Sequence, residues 1–242
     1  MALVTGASSG FGAHFASVLA GAGAHVLLAA RRLDALNEVA AKVRQVARGK
    51  VSTQELDVTR SDSIKAVLEH IQGLDILVNN AGVARGAAAL DHSADDWDEV
   101  MDTNLKGVFL LAQSAAKAMR LSGKGGSIIN VASVLGVRQA SGVLSYAVSK
   151  AAVVQLTKVL ALEVARFGVR VNALVPGYFD TALNREFWET EPGKALIKRV
   201  PQRRLGQLAD LDGPLLLLAS EASRFMTGSL VVVDGGHLVS GL

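Results

Sequence analysis

Apolar residues in this chain of 242 residues gather in seven short runs, which are separated by longer stretches with helical periodicity. Most of the runs are apolar throughout rather than alternating, which is typical of strands buried on both faces of a sheet. We therefore predict strands at Ala2–Thr5, His25–Ala30, Val51–Leu56, Ile76–Asn79, Ser127–Ala132, Arg170–Leu174 and Ser229–Val233. The stretches between them predict helices near residues 10–21, 33–47, 61–72, 95–121, 145–167 and 208–219.

The alternation of strands with helices predicts the fold class. Strand–helix repeats build parallel sheets through right-handed crossovers. We expect an α/β chain with a doubly wound, Rossmann-type parallel sheet of about seven strands and helices on both faces. The length fits a single domain over residues 1–242. Residues 178–207 break the rhythm with aromatic residues, charges and two prolines, and a connection of this length predicts a substrate lid within the domain.

Charge and hydropathy exclude several partners. The net charge is only +3 and the basic residues are scattered, so the sequence lacks a nucleic-acid footprint. No apolar run reaches the ~18 residues that a membrane span needs. The glycine-rich turn that begins at Gly6 leaves no room for a signal peptide. We therefore expect a cytoplasmic protein with neither a nucleic-acid nor a membrane partner.

Residues that bind metals or form disulfides are scarce. The chain has no cysteine, which excludes disulfides, thiolate metal sites and a cysteine nucleophile. The histidines are far apart in sequence and form no i, i+4 pair, so we predict no metal site; they are His14, His25, His70, His92 and His237.

A glycine-rich turn, Thr5-Gly6-Ala7-Ser8-Ser9-Gly10-Phe11-Gly12, joins the first predicted strand to the first predicted helix. Glycines let the backbone turn tightly and approach a pyrophosphate, which the free N–H groups and dipole of a helix N-terminus attract. The spacing is G-x3-G-x-G rather than G-x-G-x-x-G, and a purely structural turn is the alternative. Its position after strand one favours dinucleotide binding.

Further motifs follow the turn in a fixed order. They are Asp57-Val58, Asn79-Asn80-Ala81-Gly82, Asn104, Ser133, Tyr146-Ala147-Val148-Ser149-Lys150, Pro176-Gly177 with Thr181, and Asp234-Gly235-Gly236. With the turn, this set resembles the short-chain dehydrogenase/reductase family across nearly the whole chain. The resemblance is to its single-domain branch of 3-oxoacyl-carrier-protein reductases and alcohol or carbonyl reductases. It implies an oxidoreductase that transfers a hydride between a nicotinamide cofactor and a carbonyl or secondary alcohol.

The resemblance also implies which residues hold the cofactor. Besides Tyr146 and Lys150, they are Gly6, Ser8, Ser9, Gly10, Phe11, Gly12, Asp57, Val58, Asn80, Ala81, Gly82, Pro176, Gly177, Phe179 and Thr181. Phe179 departs from the family, which more often has Ile or Val at that position. Because the family uses the backbone of that residue, the change concerns the shape of the pocket rather than its chemistry.

Four residues are candidates for catalysis. A phenol has a pKa of about 10, and Lys150 lies four residues after Tyr146, so both project from one helix face and the ammonium favours the phenolate. Ser133, at the end of the fifth strand, is placed to hydrogen-bond a carbonyl oxygen, although a serine there is also a common cap. From the resemblance, Lys150 also holds the nicotinamide ribose, and Asn104 supports a water that refills the proton of Tyr146 through Lys150.

The end of the second strand bears on the choice of cofactor. An acidic residue there would accept hydrogen bonds from the adenosine ribose and repel a 2′-phosphate. Ala30 takes that place and Arg31 and Arg32 follow, so a 2′-phosphate would meet cations. We predict NADP(H), with NAD(H) as the alternative if both arginines face solvent.

The sequence says less about the substrate, which we expect to be a small-molecule carbonyl or secondary alcohol. Candidates for an apolar wall are Leu135, Val143, Leu144, Phe179, Phe187 and Trp188, and the single charges Arg85, Arg138 and Arg185 form no cationic cluster that demands an acidic substrate. Two other functions stay open. One is a non-catalytic NADP(H)-binding sensor or scaffold on the same fold, and the other is a sugar epimerase or dehydratase with the same Tyr–Lys pair.

The two longest predicted helices indicate self-association. They carry more apolar residues than one face on a sheet requires, namely Val108, Leu110, Leu111, Val153, Leu156, Leu160 and Leu162. Surplus apolar surface on paired helices favours a symmetric assembly. With the resemblance, a homotetramer is expected.

Overall fold

Seven parallel strands form one sheet in the computed structural model, which describes residues 1–69, 71, 73–181 and 184–241. The strands are β1 Ala2–Thr5, β2 Val26–Ala30, β3 Val51–Glu55, β4 Ile76–Asn79, β5 Gly126–Val131, β6 Val169–Pro176 and β7 Leu230–Val233. They lie in the order β3-β2-β1-β4-β5-β6-β7. The predicted doubly wound sheet is confirmed, and the predicted strand ends lie within about two residues of the observed ones.

The helices are α1 Gly10–Gly21, α2 Leu33–Val46, α3 Ser61–Glu69, α4 Ala94–Met101, α5 Gly107–Ser122, α6 Leu144–Val164, α7 Arg185–Glu189, α8 Glu191–Arg199 and α9 Asp212–Ala219. The predicted helix 61–72 ends at Glu69, and His70 and Gln72 lie outside the described residues. Where the sequence predicted one helix over 208–219, a 3₁₀ turn, Leu208–Leu211, precedes α9. None of the helices in the described ranges is long and apolar enough to cross a membrane.

Alternate residues of the central strands face two different helical layers. In β1, Val4 packs into a core with Phe15 of α1 and with residues of α2 and α9. Leu3 faces the opposite core, which includes Ile64 of α3 and Leu111 of α5. Because both faces are covered, every residue of β1 and β2 is buried, which explains the continuous apolar runs.

A π-helical turn, Asp102–Lys106, separates α4 from α5 where the sequence predicted a single helix over 95–121. The prediction was wrong here because the apolar periodicity continues on both sides of the turn. A π turn holds one additional residue per turn and often marks a functional site. This one carries the buried polar side chains of Thr103 and Asn104.

The predicted lid, residues 178–207, contains the two short helices α7 and α8. Pro192 lies in the first turn of α8, where its missing N–H is not needed. The Thr190 hydroxyl caps the same helix by accepting the N–H of Gly193 at 3.2 Å. Trp188 and Val200 are buried, so the segment packs onto the domain. Residues 182 and 183 lie outside the described residues.

The apolar surplus on the long helices is smaller than the sequence predicted. Val108, Leu111 and Val153 are buried within the single chain, because α5 and α6 pack against each other as well as against the sheet. Leu110, Leu156 and Leu160 are partly buried against the same cores. Of the seven residues, Leu162 is the one with a largely exposed side chain, at 83%.

Candidate functional site

A cleft of about 780 Å³ opens at the carboxyl ends of the strands. Its walls come from the loops after the first six strands, and it crosses the place where β1 and β4 lie side by side. The helices after these two strands lead away in opposite directions along the sheet, and ligands of doubly wound sheets bind at such a switch point. The volume is in the range of small-molecule and cofactor sites, about 300–1,000 Å³.

The glycine-rich turn after β1 forms one wall of the cleft. Gly6 has a φ of +64°, and a Cβ there would lie 2.8 Å from Ala81 Cα. A Cβ on Gly12 would lie 2.4 Å from the carbonyl oxygen of Gly6. Helix α1 starts at this turn without a side-chain cap from Ser9, so its first N–H groups are available to an anion. These features fit a bound pyrophosphate.

Thr5 and Asn80 lock this turn to the loop after β4. The Thr5 Oγ1 accepts the backbone N–H groups of Asn80 and Ala81, each at 3.1 Å. In return, Asn80 Nδ2 donates to the carbonyl oxygen of Thr5 at 2.9 Å. Thr5 was not among the predicted site residues, although its place at the start of the turn was a usable signal.

Two arginines line the far end of the cleft. Arg31 and Arg32 follow β2 and are exposed, and Arg32 Nη2 donates to Ser8 Oγ at 3.4 Å. Asp57 lies on the facing wall. Burial raises the pKa of its carboxyl, but hydrogen bonds from Thr59 and the charge of Arg31 outweigh burial and hold the pKa below its usual range. This end therefore combines an ionised acid with cations that suit a phosphate.

Tyr146 and Lys150 project into the middle of the cleft from the first turns of α6. The Lys150 ammonium lies 5.6 Å from the centre of the Tyr146 ring and donates to the Val131 carbonyl oxygen at 2.7 Å. Burial lowers the pKa of Lys150 to about 8. Burial raises the pKa of the Tyr146 phenol, and its hydrogen bond with the Ser133 hydroxyl opposes that rise.

Ser133 both caps a turn and presents its hydroxyl to the cleft, the two roles that the sequence left open. Its Oγ accepts the N–H of Leu135 at 3.1 Å and so caps a short 3₁₀ turn after β5. The same hydroxyl reaches the phenol of Tyr146. The cap uses a lone pair of the oxygen and leaves the hydroxyl proton for the cleft.

Asn104 in the π turn supports the cleft from behind. Its Oδ1 accepts the N–H of Val83 and its Nδ2 donates to the Val83 carbonyl oxygen, both at 2.8 Å. Its Nδ2 also donates to Ser149 Oγ at 3.2 Å, and Ser149 lies within the Tyr146–Lys150 turn. The side chain thus ties α6 to the loop after β4. Ser149 was missed because a small polar residue within a helix gives no distinct signal.

Phe179 and Thr181 lie in the wall after β6. The Phe179 side chain is buried and meets Phe11 edge to face, with ring centres 5.4 Å apart. Both the N–H and the hydroxyl of Thr181 donate to Asn184 Oδ1, at 3.0 and 2.9 Å. Asn184, a further wall residue that the sequence did not indicate, thereby shapes this end of the cleft.

The predicted cofactor and catalytic residues converge on this cleft with three exceptions. Among the residues that the structure describes, Gly12, Asn104 and Pro176 do not line it. Of the predicted apolar wall, Leu135 and Phe179 line the cleft, whereas Val143, Leu144, Phe187 and Trp188 do not line it. Trp188 instead packs beneath Tyr178, with ring centres 5.6 Å apart.

The three single charges considered for substrate binding already have partners. Arg85 binds both carboxylate oxygens of Glu99 at 2.8 Å, and Arg185 contacts Asp180 at 3.3 Å. Arg138 donates to the His237 carbonyl oxygen at 2.6 Å. Over the described ranges, no three His, Asp or Glu side chains gather in a way that could hold a metal ion.

A buried polar chain behind the cleft also escaped the sequence analysis. Asn79 Nδ2 donates to Asn130 Oδ1 at 2.9 Å, and Asn130 Nδ2 donates to Thr157 Oγ1 at 3.0 Å. These bonds connect β4, β5 and α6. An asparagine inside an apolar strand was the signal, since buried amides need partners.

Known proteins resemble this chain over nearly its whole length. The family model described as short chain dehydrogenase matches residues 1–192. Gluconate 5-dehydrogenase of Gluconobacter oxydans is 40% identical over 245 residues, which cover 99% of this chain and 94% of that protein. NAD-dependent glycerol dehydrogenase of Listeria innocua is 35% identical over 243 residues, with coverages of 99% and 94%.

A solved structure shares the same architecture. The crystal structure of a gluconate 5-dehydrogenase from Burkholderia cenocepacia, in complex with NADP and tartrate, has a TM-score of 0.94 and 36% identity. The match covers 99% of this chain and 95% of that chain. This chain therefore belongs to the short-chain dehydrogenase family and is a nicotinamide-dependent oxidoreductase that acts on an alcohol or a ketone.

Proposed function

We propose that this chain interconverts a secondary alcohol and a ketone of a polyhydroxylated acid, with NADP(H) as the preferred cofactor. The observation that carries the proposal is the convergence of Ser133, Tyr146 and Lys150 on the cleft that the glycine-rich turn borders. Lys150 alone would also serve a protein that only bound a dinucleotide, but Ser133 and Tyr146 beside it supply the hydrogen-bond donor and the proton donor that a reaction at a carbonyl oxygen needs.

Tyr146 is the proposed acid–base group. A bound nicotinamide supplies or accepts the hydride. In reduction, the Tyr146 hydroxyl gives its proton to the substrate oxygen as negative charge develops on it, and in oxidation the phenolate takes that proton back. Ser133 donates a hydrogen bond to the same oxygen and stabilises its charge. The Lys150 ammonium stabilises the phenolate and returns a proton to it.

Asn104 is proposed as a positioning residue. Its amide holds Val83 and Ser149, and this fixes the start of α6 relative to the loop after β4. The family resemblance also predicts that Asn104 binds a water that passes a proton to Lys150. The hydrogen bonds of the Asn104 side chain go to Val83 and Ser149, so this water relay stays a prediction.

The cofactor residues are assigned in three groups along the cleft. Gly6, Ser8, Ser9, Gly10, Phe11 and Gly12 form or support the pyrophosphate site at the start of α1. Asp57, Val58, Arg31 and Arg32 hold the adenosine end, where the arginines favour a 2′-phosphate. Asn80, Ala81, Gly82, Pro176, Gly177, Phe179 and Thr181 surround the nicotinamide end, with Lys150 on the ribose.

Two observations support the proposed substrate class: the polar groups that line the cleft and the names of the relatives. Hydroxyl and amide groups of Ser133, Tyr178, Thr181 and Asn184 line the nicotinamide end, and such groups suit a substrate with several hydroxyls. The relatives act, by name, on gluconate and glycerol. We therefore expect sugar acids to be better substrates than apolar ketones.

The proposal is tested by cofactor-coupled assays with D-gluconate, glycerol and a panel of ketones and aldehydes, each with NADP(H) and NAD(H). Tyr146→Phe is expected to lower kcat by about a hundredfold or more and to leave the Kd for NADPH nearly unchanged. Lys150→Ala is expected to reduce both turnover and cofactor affinity. Lys158→Ala, an exposed lysine two turns along α6, is the matched control and should change neither.

Three results would contradict this function. Tyr146→Phe with more than about half of the wild-type activity excludes the acid–base role. NADPH binding without turnover of any compound in the panel supports the sensor or scaffold. A sugar product formed without net cofactor oxidation or reduction supports the epimerase.

A further inference from the structure

Tyr178 lines the cleft directly after Gly177, yet the proposed hydride transfer gives it no task. Its ring is held between two segments that are distant in sequence. The ring of Trp188, from α7 in the lid, lies 5.6 Å away, and the ring of His237, from the turn after β7, lies 5.0 Å away. Both contacts are edge to face, which fixes the direction of the phenol.

The two supporting rings carry buried nitrogens without partners. Trp188 Nε1 and His237 Nδ1 form no hydrogen bond with the described residues, and their residues are only 7% and 5% exposed. Neither residue lines the cleft, so the two rings act on a ligand only through the phenol that they hold.

The charges of two arginines act on the phenol of Tyr178. Burial raises the pKa of the Tyr178 phenol, and the charges of Arg138 and Arg199 oppose that rise. Burial and the charge of Arg138 also lower the pKa of His237, against the opposing charge of Asp234. Arg138 is anchored by the His237 carbonyl oxygen at 2.6 Å and by Ser240 Oγ at 3.0 Å. The fold therefore assembles, from distant segments, the cationic surroundings that no sequence cluster indicated.

We propose that Tyr178 is a specificity-determining residue whose hydroxyl donates a hydrogen bond to the carboxylate of a polyhydroxy-acid substrate. Trp188 and His237 hold its ring, and Arg138 and Arg199 supply the attracting charge. This inference rests on the proposed function, since it assigns one end of the same substrate.

The test compares D-gluconate with its uncharged analogue D-glucitol in wild type and Tyr178→Phe, which keeps the ring and removes the hydroxyl. Losing a hydrogen bond to a charged group is expected to lower kcat/KM for gluconate about ten- to hundredfold. The loss should appear in KM with kcat almost unchanged, because the bond is present in both ground and transition states. For glucitol, a change below about threefold is expected.

A second variant removes one of the two attracting charges and leaves the Tyr178 hydroxyl in place. Arg199 is exposed, so Arg199→Gln is not expected to disturb the fold, and it should raise KM for gluconate a few-fold at low salt and less at high salt. Equal losses for both substrates in Tyr178→Phe, or no loss for gluconate, overturn the inference and leave the hydride transfer in place.

Binding without turnover separates the two proposals. Gluconate is titrated against the NADP⁺-bound protein while tryptophan fluorescence is recorded, in a Trp97→Phe background so that Trp188 is the remaining indole. Gluconate that binds through Tyr178 but is not oxidised supports the subsite and contradicts the proposed reaction. Gluconate that does not bind contradicts the subsite even if other alcohols are oxidised.

Discussion

Burial gives the two ionisable groups at the start of α6 opposite pKa shifts. It lowers the pKa of Lys150 to about 8 and raises that of Tyr146, while the Ser133 hydroxyl limits the rise for the phenol. Each shift disfavours the charged form of its group. The shift of Lys150 moves its pKa towards neutral pH, whereas the rise for Tyr146 is opposite to the fall that its lysine neighbour predicted.

The direction of the reaction should set the sign of its pH dependence. Carbonyl reduction needs the protonated pair, so kcat/KM for reduction should fall about tenfold per pH unit above about 8. Alcohol oxidation needs the pair after it has lost one proton, so its rate should rise with pH up to the same region and then level off. Initial rates at saturating cofactor in both directions measure this. Two profiles that rise or fall in parallel would contradict the proposed proton path.

We expect the choice of cofactor to depend on single residues at the end of β2. Arg31→Ala should weaken NADPH binding about tenfold or more and leave NADH almost unchanged, because a guanidinium pairs with the 2′-phosphate through charge-assisted bonds. Ala30→Asp adds repulsion against the phosphate and an acceptor for the ribose hydroxyls, so the double variant should prefer NADH. Fluorescence titrations with both cofactors measure the ratio.

Arg32→Ala is the companion variant that tells which arginine makes the contact, because Arg32 lies beside Ser8 in the same wall. If that variant loses NADPH affinity and Arg31→Ala does not, the contact belongs to Arg32. A wild-type protein that prefers NADH, or an Arg31→Ala variant that weakens both cofactors equally, excludes the NADP(H) preference and leaves hydride transfer unaffected.

At the scale of the elements, the sequence pattern predicted the buried strands but missed an irregular helical turn and the contacts between distant segments. Continuous apolar runs such as Val26–Ala30 predicted strands because both faces of the sheet are covered. The π turn at Asp102–Lys106 was invisible, since one added residue leaves the apolar periodicity of α4 and α5 intact. The contacts of Tyr178 with Trp188 and His237 were equally hidden, because they join segments that meet only in the folded chain.

We expect the predicted lid, residues 178–207, to respond to ligands. Trp188 and Val200 anchor residues 178–207 on the domain, but α7 and α8 contain many exposed residues. Binding of cofactor and substrate should therefore slow proteolysis of this segment, as closing lids do. Limited proteolysis with NADP⁺ alone, gluconate alone and both together measures this. Equal cleavage rates in all conditions would show that the segment does not respond to ligands.

At the scale of the whole molecule, the predicted homotetramer needs two separate contact surfaces, since a dimer of dimers uses more than one symmetric patch. Exposed Val159 and Leu162 on α6 supply one apolar surface, and exposed Val232 and Val239 at the β7 edge supply another. We expect light scattering to give about four times the chain mass of 25.2 kDa. A monomer at micromolar concentration would exclude the assembly.

Leu162→Glu probes the helical surface. Leu162 is 83% exposed in the single chain, so the substitution should leave the melting temperature of the protomer unchanged. In the assembly the new charge would be buried at the contact, which should disrupt the association. The expected product is a dimer held by the remaining surface. An unchanged tetramer would place the contact elsewhere.

The order of the strands also determines how far apart the cofactor and substrate ends of the cleft lie, and so whether substitutions at the two ends affect each other. Arg31 follows β2 and Tyr178 follows β6, and three strands lie between them, a separation of about 19 Å at the usual strand spacing. Substitutions that far apart, with no shared partner, contribute nearly additive free energies. Cofactor preference and substrate preference can therefore diverge independently in descendants of one sequence, and an engineer can change either without re-optimising the other.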